Sequence, residues 1–180
     1  MSHVAIRSAR PDDAPALADL AGRVFTRTYG SAVPVHILQP YLARSFNAEA
    51  MAAAIVAPGV THLLALEDGV PIGFSKLEPS PLPPCVGASH AVELSKLYVD
   101  TAHHSRGVGA SLLLRTVTEA GRQGWNTLWL CVWEHNPRAV AFYHKWGFEI
   151  VGRTHIYVDS VVFHDYVMER RLTPEAHSDH

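Results

Sequence analysis

Two glycines one residue apart, Gly107 and Gly109, stand in the run HHSRGVGASLL (103–113), between a strand-like segment and a helical one. Glycine has no Cβ, so a turn built on this pair lets the backbone come close to a bulky anion, and the helix that follows begins with unpaired N–H groups. The partial positive charge of a helix N-terminus acts in the same direction as those donors. A diphosphate is the usual biological anion for such a cradle; a turn merely relaxed by glycine is the plainer alternative. Glu93, fourteen residues before Gly107, puts a carboxylate on the preceding strand, and Asn136 and Tyr143 fall on a later helix. Carboxylates and phenols are the residue types that move protons in general acid and base catalysis.

These groups need elements to hold them. VELSKLYV (92–99) alternates as a strand, which puts Glu93, Ser95, Leu97 and Val99 on one face and Leu94, Lys96 and Tyr98 on the other. After the glycine turn, Val108, Leu112, Leu113, Val117 and Ala120 share one face of a helix that ends at Gly121 or Gly124. LWLCVW (128–133) is apolar on both faces and reads as a central strand covered from both sides. Asn136 at the N-cap and Pro137 at the first helical position then start a helix whose Ala139, Phe142, Tyr143 and Trp146 share a face, with Gly147 as its stop. Upstream, VAIRSA (4–9) is a short strand and Pro11, Asp12 and Asp13 open a helix. Residues 34–57 read as two short helices parted by the N-cap Asn47, and THLLALEDGVPIGFSKL as a hairpin turning at Asp68-Gly69. Four prolines make PSPLPPCVGASH (79–90) a stiffened loop. FEIVGRTHIYV and VVFHDYVMER form a last pair of strands, whose exposure makes a homodimer plausible. The expected domain covers residues 1–172, followed by a polar tail, TPEAHSDH (173–180).

Bulk properties narrow the function. A 180-residue chain with 48% hydrophobic residues suits one domain with a sizeable core. Fifteen Lys and Arg against 17 Asp and Glu leave a formal charge of −2, without a basic footprint for nucleic acid. The N-terminus lacks an apolar signal core, and the apolar stretch MAAAIVA is too short to span a bilayer, so no membrane partner is expected. Two cysteines, Cys85 and Cys131, without a CxxC pair, fit a reducing cytoplasm. Twelve histidines show no HExxH or similar spacing, so no metal is expected.

The order of these pieces resembles the GNAT superfamily of acetyl-CoA-dependent N-acetyltransferases. VELSKLYVDTAHHSRGVGASLL is similar to its pyrophosphate-loop motif, and WEHNPRAVAFYHKWGF to its C-terminal Asn, Ala, Tyr and Gly-Phe motif. FTRTYG, YLARSFN and LWLCVWEHNPRAVAFYHKWGF look like bacterial spermine/spermidine N-acetyltransferases of the polyamine-regulatory type. The resemblance implies a single-domain α/β (α+β) fold, with a mixed, mostly antiparallel central sheet flanked by helices on both faces. It implies acetyl-CoA as acetyl donor and an amine as acceptor. The diphosphate would lie on the backbone of His104, Ser105, Arg106, Gly107, Val108, Gly109 and Ala110, with Arg106 as a charge partner. His104 departs from the Gln or Arg usual at the loop's first position.

The same resemblance implies that Leu97, Tyr98 and Val99 pair with the pantetheine arm, and that an amide near Leu97 polarises the thioester carbonyl. Asn136 and Lys145 match positions near the cofactor; a plain N-cap and a solvated lysine are the alternatives. Glu93 matches the position of a glutamate base, or is an ion-pair partner of Lys96. Tyr143 matches the acid that protonates the departing thiolate, or is core packing. Cys131, inside an apolar strand, fits packing better than an acetyl-carrying nucleophile. The acceptor would be held by the helices of residues 25–50, the proline loop and the last strands, with Phe25, Tyr29, Tyr41 and Glu78 suiting an extended polyamine or, equally, serving as core and surface. Two rivals remain. A dinucleotide oxidoreductase is weakened by Leu112 in the place of a third glycine, and a non-catalytic CoA-binding sensor is opposed by the presence of both Glu93 and Tyr143.

Overall fold

The computed structural model describes residues 4–172. Its strands are β1 (Val4–Ser8), β2 (Thr61–Glu67), β3 (Val70–Glu78), β4 (Ala91–Val99), β5 (Thr127–Trp133), β6 (Glu149–Val158) and β7 (Val161–Arg171). Its helices are α1 (Ala14–Tyr29), α2 (Val35–Ser45), α3 (Ala48–Ile55), α4 (Val108–Arg122) and α5 (Pro137–Lys145). All seven strands belong to one sheet, ordered β1–β2–β3–β4–β5–β7–β6, and every pairing is antiparallel except β4 with β5. That parallel pair needs a crossover, and α4 supplies it. The expected α/β architecture with a mostly antiparallel sheet between helices is the one observed. The polar tail lies outside the described residues.

Each sheet face has its own helices. On one side α4 and α5 cover Leu77, Val92, Leu94, Leu128, Leu130 and Met168, with Leu113 and Ala120 as α4's contribution. On the other, α1 and α3 bring Leu17, Leu20 and Met51 against Leu64 and Phe74. The local signals act as expected. The Asn47 side chain accepts from the Ala50 N–H at 2.9 Å to start α3, and Gly147, at φ 83°, follows α5 in the left-handed conformation that β-carbons disfavour.

Strict alternation fails on β4. Lys76 of β3 lies opposite Lys96 and Leu77 opposite Leu94, so Ser95 is an extra residue, a β-bulge. Leu94, Leu97 and Val99 therefore face the α4 side, whereas Lys96 and Tyr98 turn towards α1–α3. Glu93, opposite Glu78 and beside Lys96, stands on that second face. The expectation that Glu93 shares a face with Leu97 and Val99 is thus corrected: period-two counting cannot see an inserted residue.

The bulge has a larger consequence. β4 pairs with β5 only at Ala91–Thr127, Val92–Leu128 and Glu93–Trp129. Beyond Glu93, β4 continues along β3 to Val99 and β5 continues along β7 to Trp133. Bulges raise local twist and bend the strand, which turns β4 away from its parallel neighbour. A wedge-shaped gap opens in mid-sheet, with Glu93 at its vertex.

α4 lies close over the β3 side of this gap. A Cβ built on Gly73 would stand 2.9 Å from the Tyr98 carbonyl oxygen and 3.1 Å from Leu112 Cδ1. Buried Ser75 and Thr116 hydroxyls bond each other at 2.7 Å across the same contact. Gly73→Ala is therefore expected to cost about 1–3 kcal/mol through overpacking; urea denaturation with an unchanged midpoint would refute the close approach.

Candidate active site

The glycine loop opens the site. Ser105 (φ 63°) and Gly107 (φ 79°) both adopt left-handed backbone, and Gly107 precedes α4 without a side-chain cap. Among the described residues, nothing accepts a hydrogen bond from the N–H groups of Val108, Gly109 or Ala110, while the fourth, that of Ser111, bonds the Gly107 carbonyl at 3.0 Å. Space beside Gly107 is open, with no atom within 4 Å of an added Cβ. The result is a cluster of free amide donors at a helix N-terminus. Gly109 serves packing instead, since a Cβ built on it would stand 3.7 Å from Phe142 and Val99, where α4, α5 and β4 meet.

Side chains of the loop are engaged in holding it. Arg106 is paired with Glu67, and His103 Nε2 lies 3.0 Å from the same carboxylate. The Arg106 guanidinium holds the Glu67 carboxyl below the usual carboxylate range. Arg106 thus points to the β2–β3 hairpin, leaving the cradle to backbone groups. His104 spans the mouth of the gap. Arg138, in the first turn of α5, donates to its Nδ1, which leaves Nε2–H to donate to the Val99 carbonyl at 2.9 Å. Asn136 serves as N-cap, its side-chain oxygen accepting from the Ala139 N–H at 3.2 Å, and Lys145 is exposed.

Of the two proton-moving candidates, Glu93 stands on β4 at the vertex of the gap and Tyr143 on α5, against the apolar cluster under α4 and α5. Glu93 is half-buried and forms no ion pair among the described residues; Lys76 instead pairs with Glu78 at 2.6 Å. Burial pushes the Glu93 carboxyl up, reinforced by Glu78, against the pull of Ser80, Lys96 and Lys76. Tyr143 extends from α5 among Phe142 and Phe148, and burial pushes its phenol well above the ordinary value. A phenol so shifted stays protonated at neutral pH. Its charge would also be felt by Tyr98 and it feels Tyr29, both of which belong to the α1 side of the sheet. Groups from opposite faces are thus within electrostatic reach of one another.

Known proteins are similar to this chain in sequence and in fold. The family described as "Acetyltransferase (GNAT) family" matches residues 27–148. The chain belongs to the GNAT acetyltransferase family. An uncharacterized N-acetyltransferase of Mycobacterium tuberculosis is 31% identical over 160 residues, covering 89% of this chain and 98% of the relative. Another from Lactobacillus delbrueckii subsp. lactis is 27% identical, over 82% of this chain and 85% of its own length. In structure, the PaiA N-acetyltransferase of Thermoplasma acidophilum, crystallised with coenzyme A, is similar with TM-score 0.78 and 22% identity, covering 94% of this chain and 99% of that one. The yncA protein of Salmonella typhimurium with acetyl-CoA gives TM-score 0.67 and 23% identity over 99% of both chains.

Sequence reasoning alone misses one buried acid, Asp165. Asp165 on β7 is buried at 7% exposure, lies opposite Trp133, and carries an oxygen, Oδ1, without a hydrogen-bond partner. It sits in a strand whose pattern signals only alternation, and one carboxylate among many gives no distinguishing sign. Cys131, between the carboxylates along β5, has its thiol pushed up to about 12, by burial first and then by Glu93 and Asp165. A thiol so shifted is a poor nucleophile at neutral pH. Among the described residues no group of three His, Cys, Asp or Glu is arranged to hold a metal, and no helix is long and apolar enough to cross a membrane.

Burial, with Glu134 assisting, raises Asp165 from 3.8 to about 6. A raised carboxylate pKa means that the folded state binds the proton more tightly than the unfolded chain, so stability falls as pH rises between those two values. Asp165→Asn is expected to stabilise the acetyltransferase by about 1–3 kcal/mol above pH 6, the gain shrinking as pH falls towards 4. Thermal melts at pH 8, 6 and 4 check this; a gain independent of pH would refute it.

Proposed function

We propose that the protein transfers the acetyl group of acetyl-CoA directly to the primary amine of a small acceptor, a polyamine among the candidates. The observation that carries this reading is the mid-sheet gap, with free amide donors at its mouth and Glu93 at its vertex. The residues present fit the donor. A diphosphate suits the N–H groups of Val108, Gly109 and Ala110 beside the open Gly107. A pantetheine arm carries amides, and beyond Glu93 the edge of β4 that leaves β5 turns main-chain groups of Leu97 and Val99 to the gap, the Val99 carbonyl being already taken by His104, while those of Tyr98 turn to β3. Asn136 retains its side-chain NH₂ group for the same ligand.

The chemistry then divides among side chains. An amine must be neutral to attack a carbonyl, and Glu93, pushed up by burial, is suited to take the proton near neutral pH, directly or through water. A main-chain N–H near Leu97 stabilises the oxygen on which negative charge develops. Tyr143, held protonated, donates to the sulfur that leaves. The half-buried, protonated Cys131 supports direct transfer over an acetyl-enzyme. The names of the mycobacterial and Lactobacillus relatives support N-acetylation, and the PaiA and yncA structures support coenzyme A as the ligand.

The direct test is thiol release from acetyl-CoA with spermidine, spermine and small monoamines; absence of turnover with all of them refutes the reading. Glu93→Gln should lower kcat/KM about a hundredfold at pH 7, with partial recovery in alkali where free amine accumulates. Wild-type activity should fall on the acid side as the raised Glu93 carboxyl becomes protonated, and that limb should be lost in the variant. An unchanged pH profile removes Glu93 from the mechanism. Tyr143→Phe should lower kcat about tenfold with coenzyme A affinity retained; a wild-type rate would return Tyr143 to packing.

A further inference from the structure

Asp165 has no part in the acetyl transfer itself, yet it is the most exactingly buried acid of the described chain. It is 7% exposed, its Oδ1 is without a partner, and no cation pairs with it among the described residues. The cation nearest this edge is engaged elsewhere: Arg153 lies 3.4 Å from Glu134. A buried carboxylate that lacks donors is costly, and native proteins leave few such groups.

Its surroundings are aromatic. Trp133 is its direct neighbour across the β5–β7 ladder, and Phe163 is two residues along β7 on the same face. Tyr29 descends from α1, its ring centroid 5.6 Å from that of Trp133 and 5.3 Å from that of Phe163, and the Asp165 charge reaches its phenol. Aromatic faces beside an unpaired carboxylate attract organic cations, because the ring quadrupole and the negative charge act together. Trp133 is also the last residue of β5, whose other edge is the unpaired side of the gap.

Glu93 and Asp165 occupy the same face at different points along β5, one opposite Trp129 and the other opposite Trp133. Four residues of strand separate these points, roughly 13 Å. One nitrogen cannot satisfy both acids: the attacking amine must be neutral, whereas a buried carboxylate with no protein partner calls for a cation. We propose that Asp165, walled by Tyr29 and Trp133, holds a second, cationic nitrogen of the acceptor and so selects diamines over monoamines. This rests on the reading of the protein as an amine acetyltransferase.

The test compares cadaverine with n-pentylamine, equal in carbon number and differing by one ammonium group. The wild-type protein should prefer cadaverine, and Asp165→Asn should lower the cadaverine-to-pentylamine ratio of kcat/KM about tenfold or more, chiefly through KM for cadaverine. A ratio unchanged by the substitution, or a wild-type preference for pentylamine, overturns the proposal. If the wild-type protein acetylates neither amine, thermal shift in the presence of coenzyme A decides. Stabilisation by cadaverine that is lost in Asp165→Asn supports the site even then; equal shifts in both proteins, or none, overturn it. Asp165→Asn removes a buried charge without changing side-chain size, so folding of the variant is not the obstacle.

Discussion

Hydrogen bonding between β4 and β5 stops after Glu93–Trp129, and much of the molecule is arranged around that stop. In an ordinary parallel pair the ladder would continue and the sheet would present two closed faces. Here the bulge at Ser95 shifts β4 by one residue against β3 and adds twist, so two strands that begin as partners end apart. Main-chain groups along Leu94–Val99 and Leu130–Trp133 are thereby freed from each other in the middle of the fold. An exposed strand edge is a template for any extended chain bearing amides. Tyr143 of α5 is within electrostatic reach of Tyr29 of α1, which packs on the other face of the sheet.

Such a gap needs to be held at a fixed width, and the loop before α4 does this with side chains. Glu67 draws Arg106 and His103 to the β2–β3 hairpin, fixing the loop on the β3 side. His104 links the Val99 carbonyl at the end of β4 to Arg138 at the start of α5, so one imidazole bridges both walls. Because side chains anchor the loop, its main-chain donors at Val108–Ala110 remain free and already aligned. Preorganised donors lose little entropy when an anion arrives. Substituting His for the Gln or Arg usual at the loop's first position is compatible with this, since the residue acts on the protein itself.

The sequence discloses most of the fold and about half of the site. Strands, caps and glycine stops depend on short-range chemistry, so Asn47, Asn136, Gly107 and Gly147 announce their elements locally. The central position of β5 follows from apolar residues on both of its faces. The bulge at Ser95 does not announce itself, because VELSKLYV satisfies period-two alternation as written, and only the partner strand shows which residue is extra. Asp165 is invisible for a related reason. Its meaning arises from Trp133, Phe163 and Tyr29, residues brought together from β5, β7 and α1 that no sequence spacing connects. Arg106 illustrates the opposite case: its type and place suit a phosphate, and tertiary contact with Glu67 gives it another role.

The two faces of the sheet differ in how well their buried polar groups are satisfied. Under α4 and α5 the core is mostly apolar: its buried hydroxyl pair, Ser75 with Thr116, is mutually satisfied, and Arg170 contributes one buried nitrogen without a partner. The α1–α3 face carries His62, Lys76, Glu78, Glu93, Lys96 and Asp165 at or near the sheet surface, and three of its buried polar atoms, His62 Nδ1, Trp129 Nε1 and Asp165 Oδ1, lack partners. His62 is driven down to about 4 by burial and by Lys76, so it is neutral there, whereas the carboxyls of Glu93 and Asp165 are driven up. Desolvation moves acids and bases in these opposite directions when both are removed from water without full compensation. A face built this way lowers the stability of the empty protein and gains when a ligand supplies the missing donors and charge, which is the behaviour expected of a binding surface. The largely apolar core under α4 and α5 helps the fold to carry that cost.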